Sequence, residues 1–206
     1  MDKALLQIEN LHKNFGGLKA TSNVSLHIQQ GEIVGLIGPN GAGKTTIFNQ
    51  VSGFIIPDRG EILFQGRPIH GRKPSRICKL GVSRTFQNLR PLPELDVFRN
   101  VMVGAYNRLS KKEGEKLTAE ILRLCGLWPK REMLAKHLTL ADRKVLEMAR
   151  ALACQPELLL LDETAAGLTP TEMMAMIELI RNVRARGITI FMIEHVMKAV
   201  MSLSDR

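Results

Sequence analysis

Gly38-Pro39-Asn40-Gly41-Ala42-Gly43-Lys44-Thr45-Thr46 is the stretch that decides how this chain folds. The pattern is G-x-x-x-x-G-K-[ST], and each residue type in it has a task. The glycines let the backbone curl into a nest of N–H donors around a phosphate. Lys44 places a positive charge on the β- and γ-phosphates of a nucleotide, and the Thr45 hydroxyl can ligate Mg²⁺. The flanks agree with this reading. Ile33-Val34-Gly35-Leu36-Ile37 runs into the loop as an apolar strand, and a helical pattern leaves it through Thr46-Ile47-Phe48-Asn49. Phosphates held there would meet a helix N-terminus, whose dipole favours anions.

Downstream, Leu158-Leu159-Leu160-Leu161 is a short continuous apolar run, which predicts a strand buried on both faces. Asp162-Glu163 follows it directly. Ligands of a parallel sheet bind at the carboxyl ends of its strands, so Asp162 is placed to serve Mg²⁺ and Glu163 to take a proton from attacking water. Taken alone, two acids after a strand could equally cap a helix. With the phosphate loop upstream, the catalytic reading is the stronger. Gln87, in Arg84-Thr85-Phe86-Gln87-Asn88, could orient water or touch Mg²⁺, although a lone Gln is more often a surface residue. His195 follows a strand that ends at Ile193, where an imidazole could contact a γ-phosphate, although a lone His there is more often structural.

Working outward, Leu5–Leu11, Val24–Ile28 and Glu61–Gly66 read as strands, the second by its apolar–polar alternation. Pro57-Asp58-Arg59-Gly60 is a turn signal. From about residue 95 to 153 the period is helical: Leu117, Ile121, Leu124 and Cys125 share one face, and Val145, Met148 and Leu152 another. Lys111–Lys116 is a charged, exposed stretch within it. A helix through Met174, Ile177 and Ile180 then stops at Gly187, and Ile188–Ile193 is the next strand. Strand–helix–strand alternation implies parallel βαβ units.

The chain has 206 residues, 45% hydrophobic and 24% charged, which is ordinary for one globular domain with an inserted subdomain. No apolar run approaches the ~20 residues of a membrane span, and no secretory h-region follows Met1. Cys78, Cys125 and Cys154 form neither a metal spacing nor a disulfide framework, so they read as small apolar residues in a reducing compartment. The net charge of +9 implies an anionic partner. Arg67, Arg72, Lys73, Arg76, Lys79, Arg84 and Arg90 crowd one stretch, but no aromatics interleave with them as stacking platforms would. They are expected on a solvated or membrane-facing surface, and nucleic acid is not expected as a partner.

The order of these motifs resembles the ATP-binding-cassette (ABC) ATPase family: the phosphate loop, Gln87, Leu138-Thr139-Leu140-Ala141-Asp142-Arg143, Asp162-Glu163 and His195. Arg84–Asn88, Ala165–Glu172 and Ile193–Lys198 look, more specifically, like the ATPase subunits of branched-chain amino acid importers. The resemblance covers nearly the whole chain. It implies an α/β fold in which a RecA-like P-loop core, with an N-terminal antiparallel β region, spans about residues 1–90 and 154–206, and an inserted helical subdomain spans about 91–153. It implies ATP and Mg²⁺ as cofactors, with phosphates on Gly38 to Thr46, adenine on Phe15, and Mg²⁺ served by Thr45, Gln87 and Asp162. Glu163 would be the general base and His195 the switch, with Lys44 and Gln87 beside them. Phe15 could equally be a core residue.

The resemblance further implies a second ATPase subunit, head to tail, so that Thr139, Leu140, Ala141 and Asp142 close on the partner's ATP. It implies transmembrane permease subunits whose cytoplasmic helix enters a groove near Gln87 to Glu94, a substrate-binding protein acting indirectly, and a peripheral position on the cytoplasmic face of the plasma (inner) membrane. Two departures stand out. The family's Leu-Ser-Gly-Gly-Gln signature has lost both glycines and its Gln here, and Asp142 brings a negative charge near phosphate unless Arg143 or Lys144 offsets it. The family also usually continues past the position of Arg206. A non-enzymatic nucleotide-binding subunit and a soluble ABC ATPase acting on DNA or ribosomes are the competing readings.

Overall fold

The computed structural model describes residues 4–86 and 91–206. In chain order its strands and helices are β1 (Leu6–Phe15), β2 (Leu18–Ile28), β3 (Ile33–Leu36), α1 (Lys44–Val51), β4 (Arg59–Phe64), β5 (Arg67–Pro68), α2 (Pro74–Leu80), β6 (Val82–Arg84), α3 (Val97–Ala105), α4 (Lys111–Leu124), α5 (Leu140–Ala153), β7 (Leu158–Asp162), α6 (Pro170–Ala185), β8 (Thr189–Ile193) and α7 (Met197–Leu203). Short 3₁₀ turns at Trp128–Lys130 and Ala135–His137 separate α4 from α5.

Two sheets result. β2-β1-β4-β5 is antiparallel, and β3-β8-β7-β6 is parallel throughout. In the first sheet the β1–β4 register shifts between Glu9 and His12. Gly60 makes that shift possible: its φ is 90°, and a Cβ there would stand 2.3 Å from the Asn10 carbonyl oxygen. In the second sheet every residue of β7 and β8 is buried. Side chains of a strand alternate between faces, so the two strands feed two cores. Leu158, Leu160, Phe191 and Ile193 pack toward α1 and the antiparallel sheet. Leu159, Leu161, Ile190 and Met192 pack toward the helices. The unbroken Leu run is therefore what a strand between two layers requires.

The helices form as the apolar period predicts. Ile121, Met148 and Leu152 are buried in the helical core, with Leu117, Leu124, Cys125 and Val145 packed against it. α3 packs on both α4 and α5. Lys111–Lys116 forms the first turns of α4 and is not a loop: Ser110 and Glu113 make a reciprocal capping box there. Thr169 and Glu172 do the same for α6. The short strands β5 and β6 lack an alternating pattern long enough to be read from sequence. β6 ends at Arg84 and runs beside β7, Arg84 opposite Leu160. At the other edge, Asp205 and Arg206 bond to Ile33 and Gly35 of β3.

Candidate functional site

The carboxyl ends of β3, β7 and β8 bring the phosphate loop, Asp162-Glu163 and His195 to one edge of the parallel sheet. β3 delivers the phosphate loop, which enters α1 at Gly43. Gly43 has φ 87°, and a Cβ on it would come within 2.0 Å of the Ala20 carbonyl oxygen, so only glycine fits there. Lys44 is 7% exposed, and its Nζ donates to the carbonyl oxygens of Gly38 and Pro39, both at 2.8 Å. The loop is thus curled around its own cation, which already points at the nest. Thr45 is exposed on the first turn of α1.

Asp162 is the last residue of β7 and is 2% exposed. Its Oδ2 accepts from Arg84 Nη2 at 3.0 Å, while Oδ1 is buried with no hydrogen-bond partner. Burial raises the Asp162 carboxyl above its usual value, against the pull of Arg84. Burial likewise lowers Arg84, against the pull of Asp162. The guanidinium thus favours the ionised carboxylate against its burial, and the carboxylate offsets the burial of the guanidinium. The free Oδ1 fits a hydrated divalent cation, because a buried carboxylate oxygen otherwise left bare is costly. Among the described residues no cluster of three or more His, Cys, Asp or Glu side chains could hold a metal alone. A cation at Asp162 and Thr45 would draw its other ligands from phosphate oxygens and water.

Glu163 turns out of the strand with φ 52°, a left-handed conformation rare for Glu. Its N–H donates to the Ile193 carbonyl oxygen at 2.9 Å, which ties the turn to the end of β8. Two residues on, His195 Nε2 lies 3.0 Å from Glu163 Oε1. The imidazole, which read in the sequence as more often structural, is thus in contact with the Glu163 carboxylate. Glu194, between them in sequence, is 1% exposed and accepts from Ala165 N–H at 2.8 Å and the Thr164 hydroxyl at 3.1 Å. Its part in shaping the loop after Glu163 went unread in the sequence, where it appears only as an acid after a strand.

The signature segment opens α5. Thr139 is its N-cap, with Oγ1 accepting from the Asp142 N–H at 3.2 Å. Leu140 is half exposed and lies against Gly167. The charge of Asp142 is offset by neither Arg143 nor Lys144. Lys130, from the first of the two 3₁₀ turns, bonds its carboxylate at 2.6 Å. Arg143 instead reaches the Lys136 carbonyl oxygen, and Lys144 that of Glu163, each at 2.8 Å. Lys144 thereby joins the signature helix to the backbone of the proposed base.

Phe15 closes β1 and is 48% exposed beneath Lys13, so it is not a core residue. Gln87 lies outside the described residues. Within the basic stretch Arg67, Arg72, Lys73, Arg76 and Lys79 are exposed as expected and Arg90 lies outside the described residues, but Arg84 departs from the expectation, since its side chain is 6% exposed. Cys125 packs against the helical core as expected, whereas Cys78 and Cys154, isolated in sequence, are more than small apolar residues. Cys78 and Cys154 line one groove of about 500 Å³ between α2, α3 and α5, with Phe54, Phe86 and Glu147. Hydrogen bonding from Cys154, ahead of Ser83 and Asn107, brings the Cys78 thiol down to about 6. Burial pushes Glu147 in the same groove up to about 7.

Known proteins are similar to this chain over most of its length. The family model described as ABC transporter matches residues 21–166. The high-affinity branched-chain amino acid transport ATP-binding protein LivG of Salmonella typhimurium (strain LT2) is 40% identical over all of this chain and 88% of its own length. The probable LivG of Archaeoglobus fulgidus is 35% identical over 98% of this chain and 83% of its own. A nucleotide-free ATP-binding cassette from an ABC transporter superposes with a TM-score of 0.89 at 30% identity, over 98% of this chain and 86% of that one. A cassette in its ADP conformation gives 0.89 at 29% identity, over 98% and 85%. The chain belongs to the ABC transporter family and is one of its ATPases.

Proposed function

We propose that this chain is the motor subunit of an importer for branched-chain or other hydrophobic amino acids, working as a peripheral subunit on the cytoplasmic face of the plasma (inner) membrane. The observation that carries the catalytic part is the convergence of Lys44, Asp162, Glu163 and His195 at one edge of the parallel sheet. Lys44 and the amides from Gly38 to Thr46 hold the phosphates. Thr45 and Asp162 Oδ1, with Gln87, serve Mg²⁺, which when bound neutralises charge on the phosphates. Glu163 accepts the proton of the attacking water, and His195 fixes that carboxylate through the 3.0 Å contact. Phe15 offers an exposed ring for adenine.

The importer part is supported by the relatives. LivG and the BraF protein of Pseudomonas aeruginosa, 36% identical, are named as branched-chain amino acid transport ATP-binding proteins. A ribose import ATP-binding protein of Agrobacterium fabrum also matches at 34%, though this chain spans only 42% of it. A second ATPase subunit and membrane permease subunits complete the assembly in this reading. Among the described residues no helix is long and apolar enough to cross a membrane, and this reading assigns the route for substrate to the permease subunits.

The altered signature favours an asymmetric pair. An intact signature on a companion ATPase would close the Lys44/Glu163 site, while Ala141 and Asp142 would close the opposite site poorly. The test is uptake of radiolabelled leucine and of ribose into vesicles holding the permease, the companion ATPase and this chain. ATP-dependent leucine uptake is expected, lost with Lys44→Ala. Ribose uptake without leucine uptake would overturn the substrate assignment.

A further inference from the structure

Arg84 has three nitrogens and each is committed. Nη2 donates to Asp162 Oδ2 at 3.0 Å, Nη1 to Asn49 Oδ1 at 2.6 Å and Ser52 Oγ at 3.1 Å, and Nε to the Thr85 carbonyl oxygen at 3.2 Å. Aromatic rings hold the guanidinium in place: Phe86 at 4.8 Å, Phe48 and Phe54 each at 5.9 Å. Asn49 and Ser52 stand on α1 and at its C-terminal cap, so this one side chain joins the helix that leaves the phosphate loop to the carboxylate at the end of β7. It also lines the groove between α2, α3 and α5. A purely structural buried pair would satisfy both carboxylate oxygens, yet Oδ1 of Asp162 is left without a partner.

We propose that Arg84 is a positioning residue for the metal site: its planar fork pins Oδ2 of Asp162 to α1 and so presents Oδ1 alone to the shell of Mg²⁺. The geometry needs a guanidinium. Four acceptors, two on α1 and its cap, one at the end of β7 and one on the backbone just after β6, match a rigid fork, whereas an ammonium of the same charge cannot span them together. The inference rests on the proposed reading of Asp162 as the metal-site carboxylate.

The test titrates a fluorescent ATP analogue onto the purified full chain at graded Mg²⁺ concentrations and in its absence. Arg84→Lys, which keeps the charge and loses the fork, is expected to raise half-saturating Mg²⁺ about tenfold, with Mg²⁺-free binding within about twofold of wild type. Asp162→Asn is expected to shift the same curve, and adding Arg84→Lys to it to shift it no further. A folded Arg84→Lys with the wild-type Mg²⁺ response, beside a shifted Asp162→Asn, would overturn the proposal. If Asp162→Asn itself leaves the response unchanged, the metal-site reading of Asp162 fails and Arg84's role with it. Should Arg84→Lys not fold, Asn49→Ala decides, since it removes one acceptor that anchors the fork to α1 and leaves the charge. A shift in the same direction supports the proposal, and none overturns it.

Discussion

At the scale of single residues, function here depends on where a side chain's last atom stands. Glu163 is held by a left-handed backbone and by His195, and both features aim one carboxylate. Glu163→Gln keeps the shape and removes the proton acceptor. It is expected to bind ATP as wild type does and to turn over about 10²–10³-fold more slowly, as measured by phosphate release. The cysteines give a second check. Hydrogen bonding from Cys154 brings the Cys78 thiol down from its ordinary value, to about 6, which favours its thiolate near neutral pH. Its alkylation by iodoacetamide, followed by mass spectrometry, is expected to rise through pH 6 and level off above it, and Cys154→Ala to move that rise to higher pH. At this scale the sequence was legible where chemistry is written in contiguous residues, as in Gly38 to Thr46 or Asp162-Glu163. It was illegible where partners are far apart. Arg84 and Asp162 are 78 positions apart, so a count of basic residues places Arg84 on the surface when the fold buries it. Lys130 answers Asp142 across a turn for the same reason.

At the scale of elements, caps and turns settle what periodicity leaves open. The helical stripes locate α4 and α5, and Thr139 fixes where α5 starts. Thr139→Ala leaves the Asp142 N–H without its acceptor and is expected to cost about 1 kcal/mol in urea unfolding. Replacing Ala141 by Gly and Asp142 by Gln restores the second of the two lost glycines and the Gln, and releases Lys130. In the assembled complex this change is expected to raise total turnover, and unchanged turnover would count against a slow second site. The long strands were legible because β7 and β8 lie between two layers and must be apolar throughout. β6, three residues long, carries too few positions for a pattern. Its place is set by pairing with β7, a contact no local window contains.

At the scale of the whole molecule, two hydrophobic cores meet on one parallel sheet, and the site forms along that sheet's carboxyl edge. The groove between α2, α3 and α5 contains Glu147, 8% exposed, which accepts from the Phe86 N–H at 3.3 Å with Lys144, Arg150 and Arg84 around it. Its folded value of about 7 lies above its ordinary 4.5. The folded chain therefore binds this proton more tightly than the unfolded one, and stability falls as pH rises from about 4.5 to about 7. Glu147→Gln is expected to flatten that fall, so that its melting temperature gains on wild type as pH rises through this window.

The central claim is that Lys44, Asp162 and Glu163 together hydrolyse ATP, and phosphate release tests it most directly. The purified chain would be assayed with ATP and Mg²⁺, alone and with companion ATPase and permease, beside Lys44→Ala as blank. Mg²⁺-dependent turnover above the blank, lost in Glu163→Gln, is the expected result. Turnover at the level of the blank in the complete assembly, with nucleotide bound, would contradict it.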